Sequence, residues 1–479
     1  MRDEVLAELG RPNLDDEPNF DYLVTGLSVD AIIAALTPLG PADFVGISFG
    51  VIKLATHGTI VDIAIPRRER STGTHHRDFD PRFGPEIAVA DDLARRDFRI
   101  NMMARDLKTG AIIDPFGGRS DLANKRLDAL MESAFVEDPL RVLRGAQFAA
   151  RFGLTATAST LDAMRAASDL IPTVAPERVA EELTKLLGKA RIPSIGFELL
   201  REVSALHHIL PELMEGWQIE QNEFHAHTVY YHSLACCDFA EQDERPRDLA
   251  VRLAALLHDV GKPRTKEGPH FYRHEQVGEE MAREALSRLR FASNLVDRVC
   301  RLIANHMYPS DDGLTDAAIR RFIRRIRPEL VDDQFKVRHA DVRASGLAPR
   351  DGEEQARFER RVRDELERKP PFGIKDLAIG GADVIEVMKE LGIAGRDFAG
   401  DERVGKALAN CLEQVLDDPC RNETVALRAI VREHFTAGVG GRGRRAATRG
   451  RREKGGAARP PQGGNRAPPA PPPAHRCGT

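Results

Sequence analysis

Apolar and polar residues follow one period in the first part of this chain and another in the rest. Between residues 20 and 65, short runs rich in β-branched and aromatic residues predict strands at 20–26, 51–56 and 59–65. The last two runs flank His57-Gly58 and therefore predict a hairpin. From Asp121 onward the apolar residues recur at helical spacing, interrupted by glycine and proline. The pattern predicts an α+β protein, in which a small mixed-sheet head precedes a long all-helical body.

The composition changes near the C-terminal end. After Phe435 the chain is dominated by glycine, arginine, proline and alanine without apolar periodicity, which predicts disorder. This tail is either a basic arm that contacts RNA or a solvating extension. We therefore divide the chain into a head (1–124), a helical neck (125–200), a helical domain (201–345), a second helical region (346–436) and the tail (437–479).

The charge is unevenly distributed. The formal net charge is −4, but residues 442–476 contain nine arginines and one lysine against one glutamate. Without them, 60 basic residues face 73 acidic residues, a net charge of −13. Any nucleic-acid surface in the folded part must therefore be a local basic patch.

Cysteine usage and hydropathy indicate a cytoplasmic location. The six cysteines show no Cys-x-x-Cys spacing, which favours reduced thiols in a cytosolic protein. No apolar run reaches about 18 residues, and the N-terminal segment has no hydrophobic stretch of the secretory type. We predict no membrane span and no membrane partner.

Three polar positions in the head are candidate metal ligands. Asn19 and Asp21 are two residues apart and so point to one face of a strand, while Asp62 lies on another strand and faces the same way as Ile60 and Ala64. Three such groups can hold two Mg²⁺ ions, one activating a 3′-hydroxyl and one bound to a triphosphate. Aspartates near strand ends are common without a metal, so these positions alone do not decide.

The segment Arg95-Arg96-Asp97 is a candidate phosphate and ribose site. Two adjacent guanidinium groups can clamp phosphate or ribose oxygens, with Asp97 orienting them. A charged helix start would contain the same three residues.

The octet Glu137–Arg144 is a candidate reader of nucleobases. As a helix with a proline in its first turn, it places Arg141, Arg144 and Arg151 on one stripe. The amino group of cytosine or adenine can donate to Asp138, while the ring acceptors take hydrogen bonds from Arg141. Guanine and uracil present a carbonyl at that place and would be rejected. The alternative is a solvated helix face with an ion pair.

Histidines and aspartates in the helical domain form a second candidate site, with His227, His258, Asp259, His274, His306 and Asp341 as its members. A buried aspartate without a partner is costly, so a bound metal best explains His258-Asp259 at the end of an apolar helix. The two further histidines, His274 and His306, would complete a two-metal site for phosphate-ester hydrolysis. Other histidines nearby read as ordinary polar residues, namely His225, His232 and His270.

The motifs, in this order, resemble the bacterial class II CCA-adding tRNA nucleotidyltransferases and the related bacterial poly(A) polymerases of the DNA polymerase β superfamily. The matching segments are Asp21–Gly26, Gly46–Gly50, Arg95–Asp97, Asp114–Gly118, Glu137–Arg144, and Glu177-Arg178 with Glu181-Glu182. The resemblance runs from residue 2 to about residue 433 and includes a C-terminal helical region that supports tRNA. It implies Asp138, Arg141 and Arg144 as nucleobase readers, and Arg95, Arg96 and Asp97 as ribose and phosphate contacts.

The histidine and aspartate set resembles the HD-superfamily metal-dependent phosphohydrolases, which occur fused to this nucleotidyltransferase in one branch of the family. That resemblance implies phosphatase or 2′,3′-cyclic phosphodiesterase activity at RNA ends. Because the ligands are largely histidines, a transition metal such as Ni²⁺, Co²⁺ or Mn²⁺ is favoured there over Mg²⁺.

The chain departs from the family pattern at three places. Family members begin with a strand and a Gly-Gly-x-Val-Arg-Asp turn, where this chain reads Met1-Arg2-Asp3. We therefore expect an N-terminally truncated head that lacks its first strand and keeps Arg2 as a phosphate contact. An Asp-x-Asp metal motif reads Asn19-Phe20-Asp21, and an amide supplies no negative charge. Gln147 stands where an arginine often extends the reading stripe.

The resulting hypothesis is a template-independent nucleotidyltransferase that adds C and A to tRNA with CTP, ATP and Mg²⁺, and whose HD domain hydrolyses phosphate esters at RNA ends. The alternatives are poly(A) addition, an impaired head beside a working phosphohydrolase, and a non-catalytic RNA-binding protein. We expect tRNA or other RNA 3′ ends as partners, and a monomer or homodimer.

Overall fold

The computed structural model describes residues 1–12, 21–45, 50–71, 79–221, 226–346 and 352–436. Asn19, His225 and the tail 437–479 lie outside the described residues. The chain forms two compact units, Met1–Gly373 and Ile374–Thr479. The α+β prediction is confirmed, with a small mixed sheet at the start and helices through most of the rest. Among the described residues, no helix is both long and apolar enough to cross a membrane.

Twelve short strands are described, most of them in the head. They are Tyr22–Leu23 (β1), Ala42–Val45 (β2), Val51–Thr56 (β3), Thr59–Ala64 (β4), Arg67–Ser71 (β5), Phe79–Phe83 (β6), Ala104–Arg105 (β7), Ile112–Ile113 (β8), Arg126–Leu127 (β9), Thr155–Ala156 (β10), Lys266–Glu267 (β11) and His270–Phe271 (β12). The predicted hairpin is β3–β4, and its turn residues His57 and Gly58 have φ of 48° and 76°. Two positive φ values suit the right-handed twist of a two-residue hairpin.

The head sheet has the order β1-β4-β3-β2, with β1 parallel to β4 and the other pairs antiparallel. Ile52 lies opposite Ile63 on its buried face. Lys53 lies opposite Asp62 on the other face, which is exposed. The sheet therefore has one apolar face for packing and one polar face for chemistry.

A helix interrupts the region that the sequence predicts as strands. Val29–Leu36 is helical, and the Ser28 hydroxyl accepts a hydrogen bond from Ala31 N at 3.3 Å. The serine cap followed by an apolar residue one turn later, Ile32, is a helix-start signal that the strand prediction overlooked. Ile32 is buried on the apolar face of the sheet.

The helices of the first unit are Arg2–Glu8 (α1), Val29–Leu36 (α2), Val89–Ala94 (α3), Gly118–Ala123 (α4), Ser133–Glu137 (α5), Leu140–Phe152 (α6), Ala158–Ala167 (α7), Pro176–Lys189 (α8), Ser194–Glu202 (α9), Leu206–Ile209 (α10), Pro211–Met214 (α11), Val229–Phe239 (α12), Leu249–Leu257 (α13), His274–Arg288 (α14), Ser293–Ala304 (α15), Asp316–Ile326 (α16), Val331–Ala344 (α17) and Gly352–Arg368 (α18). Short 3-10 helices occur at Thr37–Leu39, Arg99–Asn101, Ser168–Thr173, Pro263–Thr265 and Pro328–Leu330.

The second unit contains Gly381–Glu390 (α19), Glu402–Asp417 (α20) and Thr424–Thr436 (α21), with 3-10 helices at Ile374–Asp376 and Pro419–Arg421. Its core is apolar, with Val387, Cys411 and Leu427 fully buried. Gly380 precedes α19, and its N–H donates to the Asp383 side chain at 2.8 Å. The Gly-Gly pair of this region thus begins a helix.

The octet Glu137–Arg144 does not lie in one helix, contrary to prediction. α5 ends at Glu137, Asp138 is extended with φ −138° and ψ 94°, and Pro139 caps α6. A residue before proline avoids the helical conformation for steric reasons, which explains the break at Asp138. Its carboxylate therefore projects from a corner between two helices.

A buried arginine joins the neck to the helical domain. Arg252 on α13 is fully buried, and its Nη1 atom donates to Leu187 O and Ala190 O at 2.5 Å each. Its Nε atom donates to Ala240 O at 2.9 Å. The carbonyls at the end of α8 carry partial negative charge, so they stabilise the guanidinium in place of a carboxylate.

Candidate active sites

A polar cleft of about 920 Å³ lies between the head and the neck. Its lining includes eight of the residues that the sequence predicts to bind nucleotide or metal, namely Arg2, Asp21, Arg95, Arg96, Asp97, Asp138, Arg141 and Arg144. Asp62 is not among the described residues that line the cleft, and neither is Arg151. Residues from the N-terminal Arg2 to Lys189 at the end of α8 thus supply one surface.

The cleft is a basic patch in an acidic chain. Among the described residues that line it, seven are cationic (Arg2, Arg95, Arg96, Arg141, Arg144, Arg178 and Lys189), whereas four are carboxylates (Asp3, Asp21, Asp97 and Asp138). An excess of positive charge in a concave surface attracts polyanions such as a nucleoside triphosphate or an RNA end.

Asp97, which is buried, and Arg144, which is one-third exposed, form an ion pair in the wall of this cleft. The Nε and Nη2 atoms of Arg144 lie 2.7 and 2.6 Å from Asp97 Oδ2. Asp97 Oδ1 accepts from Phe98 N and Asn101 Nδ2, both at 2.8 Å. Burial alone would raise the pKa of Asp97, but Arg144, Asn101 and the Phe98 N–H together hold it below its ordinary value.

Arg95 is oriented by Asp92 and Arg96 mainly by the backbone carbonyl of Asn101, which corrects the prediction that Asp97 orients them. Both the Nε and Nη2 atoms of Arg95 donate to Asp92 Oδ1, at 3.0 and 2.9 Å. Arg96 Nη1 donates to Asn101 O at 3.1 Å, and its Nη2 atom lies 3.8 Å from Asp92 Oδ2. The reason for the Asp92 contacts is helical spacing, because residues three and four apart share a face at the end of α3, whereas Asp97 lies beyond it.

Asp138 and Arg141 face the cleft with partners already in place. Asp138 Oδ2 accepts from Arg178 Nη2 at 3.0 Å. Arg141 donates from Nη2 to Arg95 O at 3.0 Å and from Nη1 to Ala134 O at 3.3 Å. A guanidinium has five N–H donors, so Arg141 keeps donors for a ligand while these carbonyls fix its position.

Arg2 lies at the same cleft. Its Nη1 atom donates to Asn101 Oδ1 at 3.0 Å, and its guanidinium carbon lies 4.5 Å from the centre of the Phe152 ring. Asn101 thus connects Arg2 to Asp97, because its Nδ2 atom donates to that carboxylate.

Of the three candidate metal ligands in the head, the structure describes Asp21 and Asp62. Tyr22 pairs with Ile63 in parallel register, so extending that register by one residue sets Asp21 beside Asp62. Asp62 Oδ1 lies 3.1 Å from Lys53 Nζ, and both side chains are about half exposed, at 50% and 46%. An exposed ion pair of this kind is weak, so a metal can displace the lysine. Asp21 lines the cleft, and Asn19 lies outside the described residues.

The second site gathers six side chains from separate elements of the helical domain. They come from α12 (His232), the end of α13 (His258 and Asp259), the start of α14 (His274), the end of α15 (His306) and α17 (Asp341). Two groups have metal-ligand spacing, His232 with His258 and Asp341, and Asp259 with His274 and His306. In each group the ligand atoms lie within 4.8 Å of one another.

Three of the histidines are oriented by the backbone. The Nδ1 atoms of His258, His274 and His306 donate to carbonyls at 2.9, 2.8 and 2.7 Å. Because a carbonyl only accepts, each Nδ1 carries the proton, and each Nε2 atom turns inward. The Nε2 atoms of His274 and His306 are 3.1 Å apart. Lone pairs on two nitrogen atoms at this distance repel each other unless the atoms share a cation or a proton.

Asp259 is the buried anion at the centre of the cluster. Its Oδ1 atom lies 3.5 Å from His274 Nε2 and 3.7 Å from His306 Nε2, and has no hydrogen-bond partner among the described residues. Its Oδ2 atom lies 2.7 Å from Lys262 Nζ and 3.1 Å from His258 Nε2. Burial opposes ionisation, yet nearby His258 and Lys262 hold the pKa of Asp259 well below its ordinary value.

His306 is set up as a neutral ligand. Burial, together with the charge of His258, lowers the pKa of His306 to about 3. An unprotonated imidazole is the form that binds a metal. The unsatisfied Asp259 Oδ1 atom and the facing His274 and His306 nitrogens therefore fit a divalent cation.

His232, and not His227, belongs to this cluster, which corrects the sequence-based assignment. His232 Nε2 lies 3.0 Å from Asp341 Oδ1 and 3.3 Å from His258 Nε2. His227 is exposed and, among the described residues, belongs to neither ligand group. The reason is the helix start: Thr228 caps α12, so His227 precedes the helix whereas His232 lies on its buried face.

Several residues in the two sites had no role assigned from sequence. Asp92 and Asn101 orient the arginines of the cleft, and Arg178 holds Asp138. Lys262 completes the histidine cluster, and its Nζ atom donates to Gln221 Oε1 at 2.7 Å. Arg178 belongs to the Glu177-Arg178 segment, Lys262 follows His258-Asp259 by three residues, and Asp92 and Asn101 bound the segment that contains Arg95–Asp97. Position in these segments was the available signal.

Family models match three parts of the chain. They are the poly A polymerase head domain at residues 17–128, the probable RNA and SrmB-binding site of polymerase A at 153–216, and the HD domain at 229–344. Among curated proteins, the chain is 34% identical to the multifunctional CCA protein of Cupriavidus metallidurans, over 73% of this chain and 85% of that protein. It is 36% identical to that of Stenotrophomonas maltophilia, over 65% of this chain and 82% of that protein.

Solved structures share the fold. The CCA-adding enzyme of Bacillus stearothermophilus in complex with CTP superimposes with a TM-score of 0.61 at 20% identity, over 92% of this chain and 93% of that chain. The Thermotoga maritima CCA-adding enzyme complexed with tRNA gives 0.51 at 20% identity, over 89% and 88%. At this identity the likeness is one of fold.

Proposed function

This chain belongs to the family of multifunctional CCA proteins, and we propose that it adds C and A to the 3′ end of tRNA from CTP and ATP without a template. The observation that carries the proposal is the basic cleft, which gathers eight predicted nucleotide or metal residues from the head and neck. We assign the head to 1–124, the neck to 125–200, the HD domain to 201–345, a tRNA-supporting region to 346–436 and a basic tail to 437–479.

Base selection falls to Asp138 and Arg141. Arg178 holds Oδ2 of Asp138 at 3.0 Å, and among the described residues Oδ1 has one hydrogen bond, from Leu140 N at 3.3 Å. The exocyclic amino group of cytosine or adenine can donate to that oxygen, and Arg141 can donate to the adjacent ring acceptor. Uracil and guanine would place a carbonyl oxygen against the carboxylate, which is repulsive.

Phosphate and ribose contacts fall to the arginines on the other wall. Arg95 is held by Asp92 and Arg96 by the Asn101 carbonyl, so both keep their positions without a ligand. Arg2 is likewise held by Asn101, while Arg144, which the family resemblance implies as a third nucleobase reader, is held by Asp97. Fixed donors lose little side-chain entropy when a triphosphate binds, which strengthens binding.

Mg²⁺ in the head would be held by Asp21 and Asp62 with Asn19. When bound, it would activate the 3′-hydroxyl of the RNA and neutralise charge on the triphosphate. Asp62 would first have to leave Lys53, which lies 3.1 Å away. Asn19 places an amide where a third carboxylate would bind Mg²⁺ more strongly. We therefore expect that a high Mg²⁺ concentration is required for activity.

The test is an extension assay on tRNA that lacks its 3′-terminal CCA. Incubation with CTP, ATP and Mg²⁺, followed by sequencing of the product, should show CCA. A run of adenosines would identify a poly(A) polymerase instead. If the RNA binds but is not extended, the head is impaired and the chain acts as a phosphohydrolase or an RNA-binding protein.

We further propose that the HD domain hydrolyses phosphate esters at RNA ends. The supporting observation is the cluster of inward-facing nitrogens, with His274 Nε2 and His306 Nε2 only 3.1 Å apart around a buried carboxylate. His232, His258 and Asp341 would hold one divalent cation, and Asp259, His274 and His306 a second. Ni²⁺, Co²⁺ or Mn²⁺ suits these nitrogen-rich sets, and when bound would act as a Lewis acid toward the phosphate.

Lys262 balances charge beside this site. Its ammonium lies 2.7 Å from Asp259 Oδ2 and keeps that buried carboxylate ionised. The test is hydrolysis of a 2′,3′-cyclic nucleotide by the protein loaded with Ni²⁺, Co²⁺ or Mn²⁺. Loss of hydrolysis in His258→Ala and Asp259→Ala supports the proposal, and undiminished hydrolysis in both variants would refute it.

A further inference from the structure

An exposed aromatic pair stands beside the histidine cluster of the HD domain. Tyr272 is 61% exposed, and its ring stacks on that of His270 with centroids 5.4 Å apart and an angle of 27° between planes. Phe271 between them is half-buried, with Lys262 Nζ 5.6 Å from its ring centre. The hairpin β11–β12 thus turns one aromatic side chain inward and offers two to solvent.

This pair is close to the cluster because the backbone connects them directly. Phe271 O accepts the Nδ1 proton of His274 at 2.8 Å. Tyr272 precedes His274 by two residues, so their Cα atoms lie at most about 7 Å apart. Met307, which is 55% exposed, follows His306 directly. Both exposed apolar side chains therefore flank the two histidines whose Nε2 atoms meet at 3.1 Å.

The backbone between Tyr272 and His274 is held in an unfavourable conformation. Arg273 has a φ of 60°, in the left-handed region that non-glycine residues avoid. Its Nε atom donates to Gln276 Oε1 at 2.7 Å, which fixes the turn at the start of α14. The turn lets Tyr272 remain exposed while His274, two residues on, is buried. Conformations of this kind are retained where a site needs them.

We propose that Tyr272 is the stacking platform for the base of the nucleotide whose phosphate ester enters the histidine cluster. The inference rests on the proposed phosphohydrolase function and names its substrate as a nucleotide at an RNA end. Proteins bind unpaired bases by stacking them on exposed aromatic rings, with cations for the phosphates. Lys266 and Arg273 supply cations on the same segment.

Stacking also predicts the specificity of this site. Every base has an aromatic face, so a platform of this kind accepts any terminal nucleotide. The head cleft, in contrast, reads the pairing edge of the base through Asp138 and Arg141. The HD site would therefore process RNA ends whatever their last base.

The test compares two substrates in three proteins. The substrates are adenosine 2′,3′-cyclic phosphate and the base-free 1-O-methylribose 2′,3′-cyclic phosphate, and the proteins are the full chain, Tyr272→Ala and Tyr272→Phe, each loaded with the same metal. Tyr272→Ala should raise KM for the adenosine substrate about tenfold and leave its kcat unchanged. For the base-free substrate, both KM and kcat should stay as in the parent. Tyr272→Phe should behave as the parent on both substrates. Equal effects on both substrates, or none on either, would overturn the proposal.

A binding measurement separates this inference from the proposed activity. If the parent hydrolyses neither substrate, the phosphohydrolase function fails, and fluorescence of 2-aminopurine riboside 2′,3′-cyclic phosphate becomes the readout. Stacking quenches this base, and any binding in the head cleft is common to the three proteins. Quenching that is lost in Tyr272→Ala but kept in Tyr272→Phe supports the platform, whereas equal quenching in all three rejects it.

Discussion

Two nitrogen atoms of Arg144 converge on a single oxygen of Asp97, with Nε and Nη2 at 2.7 and 2.6 Å from Oδ2. The other oxygen of this carboxylate accepts from Asn101 and from the Phe98 N–H. The pair connects α6 of the neck to the loop after α3, so it fixes one wall of the cleft against the other. Removing the cation from such a pair is destabilising, because it leaves a buried carboxylate without a compensating charge.

Arg144→Met should therefore destabilise the protein by about 1–2 kcal/mol at pH 7, an estimate reduced because Arg144 is one-third exposed. The variant leaves Asp97 buried without its guanidinium. Urea denaturation measures the effect, and the double variant Asp97→Asn/Arg144→Met should recover part of the loss, because it removes the unpaired charge.

The loss of stability in Arg144→Met should depend on pH. The pKa of Asp97 is lowered in the folded protein, so its ionised form stabilises the fold above the unfolded pKa of about 3.9. That contribution is lost as the pH falls through the lower folded value. The stability gap between parent and Arg144→Met should therefore narrow below about pH 4. A gap of constant size from pH 3 to 7 would contradict this account.

Asp138→Ala should weaken selection among nucleotides more than it weakens binding. Without the carboxylate, UTP is no longer repelled and CTP loses one acceptor, so the ratio of kcat/KM for CTP to that for UTP should fall at least about tenfold. Arg119→Ala is the matched control, since Arg119 is an exposed arginine whose partner is Glu8. An unchanged ratio in Asp138→Ala would show that base selection resides elsewhere.

Asn19→Asp should increase the rate of nucleotide transfer and lower the Mg²⁺ concentration needed for half-maximal activity. The substitution supplies a negative charge two residues before Asp21, where an amide oxygen now offers only a dipole. Titration with Mg²⁺ in the tRNA extension assay measures both effects. Asn13→Asp adds the same charge six residues earlier and should change neither; an equal response would point to a general effect of charge.

His232→Ala should lose metal and HD-site hydrolysis, whereas His227→Ala should keep both. His232 is fully buried, with its Nε2 atom 3.0 Å from Asp341 Oδ1, while His227 is exposed. Metal content after dialysis and the hydrolysis rate provide two independent readouts. The opposite result, with His227→Ala depleted of metal, would restore the original sequence-based assignment.

The sequence predicts the β3–β4 hairpin correctly, but the helix starts at Ser28 and Thr228 were missed. The β3–β4 hairpin is local, since the alternating runs and the His57-Gly58 turn stand in one segment. The choice between His227 and His232 depends on where α12 begins, and Thr228 sets that start. Asp92 went unrecognised as an orienting group because only the end of α3 places it against Arg95. The residue at which a helix begins or ends therefore determines which carboxylate or imidazole lies in a site.

Arg252 has a consequence for how the two proposed activities would be combined. Its guanidinium binds carbonyls at the end of α8, the helix that carries Arg178 to the cleft, and it belongs to α13, the helix that ends at His258. Because Arg252 joins these two helices, the cleft and the histidine cluster keep a fixed separation. On the two proposed activities, an RNA end processed at the histidine cluster would have to dissociate from it and rebind at the cleft before it could be extended.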